Sequence, residues 1–154
     1  SSPPISKTLE DSRKSCDYST MGNEFVRAVE NIQTDSHASV TAACLIIESS
    51  LKSYIEKFNL PMPQKLNVAP LWAAVQSDLN LNADPTLAGD QHKIFKGISS
   101  IIDGVGAFRS HIGSAHGRGQ NPPQIVVSEA RLAVNASHTV VVFIMDIIHA
   151  NKIN

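Results

Sequence analysis

The sequence predicts an all-α fold: an antiparallel bundle of about four long helices plus one short helix. Three observations carry that expectation. Apolar residues recur at spacings of three and four through most of the 154 residues. No convincing run of period two appears, and Val126 and Val127 alone do not make a strand. Loops holding Pro and Gly separate the periodic stretches, which allows neighbouring helices to pack antiparallel. A chain of this length suits one compact domain with a real core.

Residues 1–19, "SSPPISKTLEDSRKSCDYS", have no clear period and read as an extended lead-in with a short helical turn at 8–15. "TMGNEFVRAVENI" follows as the first helix, with Phe25, Val26, Val29 and Ile32 as its expected buried stripe. The clearest helix begins at "TDSHASVTAACLIIESSLKSYIEKFNL", where Asp35 or Ser36 can cap the N-terminus. Val40, Ala43, Cys44, Ile47, Leu51 and Ile55 mark its inner face, and Lys52, Glu56 and Lys57 its outer one. "PMPQKLNVAP" reads as a loop because it holds three prolines.

The short helix is "LWAAVQSDLNL", burying Leu71, Trp72, Val75 and Leu79. Trp72 belongs to the core, not to a stacking platform, since its neighbours are apolar. After the loop "NADPTLAGD" comes "QHKIFKGISSIIDGVGAFRSHIG", with Ile94, Ile98, Ile101, Ile102, Val105, Phe108 and Ile112 as its stripe. Gly97, Gly104 and Gly106 interrupt it. Each costs about 1 kcal/mol of helix propensity, so another backbone is expected to pass close by. "SAHGRGQNPPQIVV" is a loop, and "SEARLAVNASHTVVVFIMDIIHANK" is the last helix, with Ser128 as its expected cap. Ala133, Ala136, Val140, Phe143, Ile144, Ile147 and Ile148 carry its apolar surface. The domain division expected is 1–34 for the lead-in and first helix and 35–154 for the main helical unit.

Composition excludes several functions. The net charge is −1 and no basic tract appears, so a broad footprint on duplex nucleic acid is not expected. A small phosphate site needs only one or two cations and stays open. Cys16 and Cys44 do not have the spacing of a metal knuckle or a redox pair, which favours a reduced, cytoplasmic setting. The longest apolar run, "VVVFIMDII", is broken by Asp146 and is short for a membrane span. The "NAS" triplet at 135–137 fits a glycosylation sequon but falls in a helical pattern and is discounted. The chain opens without Met on a polar stretch unlike a signal peptide, as a processed form or a fragment would.

The chemistry concentrates in "FRSHIGSAHGRG", residues 108–119. A helix advances about 100° per residue, so seven residues return to within about 20° of the start. Arg109 and His116 therefore share a face if the helix continues past Gly113. Arginine is always charged and its planar fork suits a phosphate. Histidine titrates near neutrality and can give or take a proton. Together they can act on a phosphodiester without a metal. Such a pair also occurs by chance in many helical proteins, so spacing alone leaves a structural role open. His111 and His116, five apart and without a carboxylate, make a poor metal site, and neither metal nor other cofactor is expected.

Four pieces together resemble the abortive-infection C-terminal domain family, within the wider HEPN group. They are "TAACLIIESSLKSYIEKFNL", "LWAAVQSDLNL", "GISSIIDGVGAFRSHIGSAHGRG" and "ARLAVNASHTVVVFIMD", in order over residues 35–150. Glu48 and Lys52 stand in matching places. The resemblance implies a HEPN-like bundle that forms a homodimer and cuts RNA without metal through an Arg, four to six residues, then a His. Here that pair is Arg109 and His116, two such pairs meeting across a two-fold axis. It also implies prokaryotic antiviral defence or a toxin–antitoxin setting, with an antitoxin or fused effector domain as a possible partner. The family usually has Asn or another strongly polar residue after the Arg. Ser110 departs from this, with a shorter reach, and His111 is the next polar group along.

Supporting roles fall to four further residues. Glu48, on the edge of an apolar face, is a candidate partner for Arg109, because buried charges are usually paired. Asn135 is a candidate to face the cleft or to make a packing hydrogen bond. Arg118 could add a phosphate contact or lie free on the surface. Asp103 could pair with a cation or line a cleft. His92, His138 and His149 read as surface or helix-end residues. Two rival functions use the same residues: a binding module that holds RNA or a nucleotide uncut, and a plain dimerisation domain.

Overall fold

The computed structural model describes residues 18–79, 86–116 and 124–153, and the side chains of 21–79, 86–111 and 124–150. The turn expected at 8–15 and Cys16 lie outside the described residues. Five helices run in chain order: α1 (Tyr18–Asn31), α2 (Ser36–Lys57), α3 (Val68–Asp78), α4 (Ala88–His116) and α5 (Val127–Ile153). No strand occurs among the described residues.

The hub is α2, which packs against each of the other four helices. Its start is fixed by Asp35, whose Oδ1 accepts from the Ala38 amide at 3.0 Å. Its end is a Schellman closure: the Leu60 amide donates to Ile55 O and the Asn59 amide to Glu56 O. Asn59 takes the left-handed conformation that closure requires, at φ 55. Between these caps Val40, Ala43, Cys44, Ile47, Leu51 and Ile55 are buried as the periodicity indicates, and Ile46 and Tyr54 join them. A hub helix is enclosed on more than one face, so its inner surface is wider than one stripe.

α3 and α4 run antiparallel. Val68 at the start of α3 meets Gly106 late in α4, and Trp72 Nε1 further along donates to Ser99 Oγ earlier in α4. Trp72 is buried, as expected of a core residue. α5 lies along α2 and closes the core with Ala130, Val134, Val140 and Ile144. By length and composition the Val127–Ala150 stretch of α5 could cross a membrane, but 44% of its most apolar window is buried inside the bundle. The apolar character of α5 is that of a core helix. The "NAS" triplet is indeed helical: Asn135 is exposed, but Ser137 is buried and its hydroxyl donates to Ala133 O.

Several expectations need correction. In α1 the buried residues are Met21 and Ala28, with Phe25 partly covered and Ile32 buried just past its end, while Val26 and Val29 are exposed. In α4, Ile94 is exposed and Phe95 takes its place, ring to ring with Phe143 at 5.7 Å. α3 begins at Val68, inside the expected loop. Pro70 falls in its first turn, where a missing N–H costs nothing because that amide has no intrahelical partner. Ser128 lies inside α5, and the carbonyl of Val126 accepts from the Glu129 and Ala130 amides. Of Gly97, Gly104 and Gly106 in α4, only Gly106 answers to a close approach: a Cβ there would stand 2.6 Å from Val68 Cγ2, whereas Gly97 and Gly104 face open space. The neighbour is a side chain, not a backbone.

Candidate functional site

α4 does not stop at Gly113. It continues through to His116, so the loop expected from residue 114 is helical for its first three residues. Arg109 and His116 therefore stand on one unbroken helix, two turns apart and on the same face, about 10 Å along the axis. The His116 side chain and the whole of Arg118 lie outside the described residues.

Arg109 is held from α2. Its Nη1 donates to Glu48 Oε1 at 2.6 Å and lies 3.8 Å from Cys44 Sγ. Cys44 and Glu48 stand four positions apart, so one turn of α2 presents both to the same guanidinium. The Glu48 side chain is 9% exposed and that of Arg109 36%. Glu48 is thus a buried carboxylate whose charge is met by an arginine still open to solvent on its other side. Burial works against the Arg109 charge, but its contacts with Cys44 and Glu48 outweigh burial and raise its pKa further. Burial likewise pushes the Cys44 thiol up, against the lowering pull of Arg109. The constellation is therefore a fixed cation beside a neutral thiol.

Arg109 stands where two grooves meet. One, enclosing about 680 Å3, lies between α2, the start of α3 and α4; Glu48, Lys52, Asn67, Asp103 and Ser110 line it. The other, about 520 Å3, opens toward α1 past Glu24, Arg27, Asp35 and Leu45. The exposed part of the guanidinium is accordingly available to an anion arriving along either path.

The remaining candidates divide. Ser110 lines the α3-side groove, and its hydroxyl donates back to Gly106 O at 3.1 Å. His111 is exposed, with Nδ1 donating to Ala107 O at 2.9 Å, and lines neither groove. Asn135 is exposed on α5, accepts only through its carbonyl from Thr139 among the hydrogen bonds described, and lines neither groove. His138, expected on the surface, is exposed yet meets Phe25 edge-on at 4.8 Å. Among the groove residues that the sequence reading of the site does not include are Cys44 and Lys52. The periodicity puts Cys44 in the core and Lys52 on the outer face, and the family resemblance gives Lys52 a matching place but no role. Both lie one helical turn from Glu48, and that spacing was the available signal.

A family model described as a HEPN-like domain, that of the Abi C-terminal family, matches residues 19–148. The match starts well before residue 35 and so takes in α1. No curated protein and no solved structure matches the chain.

Proposed function

The chain belongs to the HEPN-like Abi C-terminal domain family, and on that premise we propose that it is a metal-independent RNA endonuclease of antiviral or toxin type. The observation that carries the reading is the unbroken α4, which keeps Arg109 and His116 on one face while Glu48 holds the guanidinium at a groove junction. In this reading Arg109 binds the scissile phosphate and stabilises the charge that builds on its oxygens. The RNA 2′-hydroxyl attacks the neighbouring phosphorus, its proton passes to a base, and the 5′-oxygen leaves with a proton from an acid. The products are a 2′,3′-cyclic phosphate and a 5′-hydroxyl. His116 is the group that moves these protons. One histidine cannot be base and acid in the same step, so a homodimer supplies the second from its partner copy.

Cleavage of end-labelled RNA in EDTA tests this. The native protein leaves cyclic-phosphate ends, and Arg109→Ala and His116→Ala each lose at least a hundredfold in rate. Unchanged cutting by His116→Ala would sink the assignment. Ser110, in place of the family's usual Asn, favours one second reading: a module that binds RNA without cutting it. RNA retained intact by a folded native dimer would select that reading.

A further inference from the structure

Resting on the ribonuclease reading, we propose that Lys52 binds the phosphate next to the one held at Arg109. A single-stranded RNA then leaves the reaction centre along the groove between α2, the first turn of α3 and α4, and not along the groove beside α1.

Which charges are already paired, and not net charge, separates the two grooves. In the α3-side groove the charged residues are Arg109, Glu48, Lys52 and Asp103. Glu48 is already committed to Arg109 at 2.6 Å. Lys52 makes no ion pair among the described residues, and it stands one turn past Glu48 on the same face of α2. A partly buried lysine keeps its ammonium at the groove edge while its stem covers apolar surface. It is the uncommitted cation nearest in sequence position to the residue that fixes Arg109. Asp103 is exposed on α4, and Asn67 and Ser110 add polar but uncharged groups.

The α1-side groove, which shares Arg109, carries the same formal charge but is paired differently. Besides Arg109, its cation is Arg27, which is paired with Glu24 at 3.2 Å, and Asp35 brings a second carboxylate. His37 also lines it, half-buried in the first turn of α2. A phosphate entering there meets acids with no free lysine to offset them. The arrangement also accounts for a near-neutral chain acting on RNA: one lysine and one arginine serve adjacent phosphates, and no wide basic surface is needed.

The test is a salt titration of binding, using a single-stranded RNA whose scissile nucleotide is 2′-deoxy and so cannot be cut, beside cleavage of the all-ribose strand. Lys52→Ala weakens binding about tenfold at moderate salt. It also flattens the plot of log affinity against log salt by about 0.7. In cleavage the loss falls mainly on KM. Lys52→Arg restores both readouts, which a merely unfolded variant cannot do, and Asp103→Asn tightens binding. Arg27→Ala leaves affinity and slope as in the native protein. If the native protein cuts RNA and Lys52→Ala keeps the native slope, or if Arg27→Ala takes the effect instead, the Lys52 assignment is wrong and the ribonuclease reading stands. If the native protein neither binds nor cuts, the ribonuclease reading fails and carries this one with it.

Discussion

The guanidinium of Arg109 has two jobs that can be separated. It faces a groove, and it neutralises a carboxylate that is nearly out of solvent. Removing one partner of a fully buried pair costs about 3–5 kcal/mol; with Arg109 more than a third exposed, solvent screens the pair and about 1–3 kcal/mol is the fitting range. Arg109→Ala is therefore expected to lower Tm by several degrees, and adding Glu48→Gln is expected to return most of that loss, because a neutral amide leaves no stranded charge. RNA cleavage returns in neither variant. Thermal denaturation of the two variants checks this, and an Arg109→Ala protein with native Tm would show that the ion pair is not a stabilising element. Arg109 and Glu48 were legible in the sequence, as a lone cation after a glycine-broken helix and a carboxylate on an apolar face. Lys52 was not, because amphipathic patterning sorts a lysine to the outside and says nothing of a groove formed there by a distant helix start at Asn67.

Helices were easier to find than to rotate. All five were legible, because apolar residues at spacings of three and four leave no other regular structure, yet the inward face slipped in two of them. α1 carries valines on one side of its axis and Ala28 on the other, and a pattern that weights large side chains chooses the valines. Packing against α2 instead rewards the small residue, since Ala28 permits close approach. The glycines of α4 show the same limit. Three looked alike in sequence, but their roles depend on what stands opposite, and Val68 is brought opposite Gly106 only because α3 starts earlier than Pro70 suggests. Gly97→Ala and Gly104→Ala, facing open space, are expected to stabilise the monomer fold by about 1 kcal/mol each through helix propensity. Gly106→Ala is expected to cost about 1–3 kcal/mol from overpacking against a β-branched side chain, less the same propensity gain. Urea midpoints of the three variants give the comparison, and equal shifts for all three would contradict the placement of Val68.

At the scale of the whole molecule, the bundle puts the candidate functional residues among the described ones on helices. α2 supplies Cys44, Glu48 and Lys52, α4 supplies Arg109, Ser110 and His116, and the core beneath them fixes the crossing. One copy nonetheless holds one Arg–His pair, while the proposed cleavage moves two protons in opposite directions. If each copy contributes one histidine to a shared reaction centre, a dimer of one native and one His116→Ala chain is as inactive as the doubly substituted one. Mixing the two proteins in equal amounts and letting the subunits exchange leaves about a quarter of the dimers fully native, from random pairing in a two-fold assembly. The rate per native chain then falls to about half, and total activity to about a quarter of that of the same total protein, all native. Independent sites would instead leave about half. A curve of activity against native fraction that follows the square supports a shared centre. A straight line places base and acid within a single copy and requires a second proton-moving group there, for which His111, five residues before His116 on α4, is the first residue to substitute.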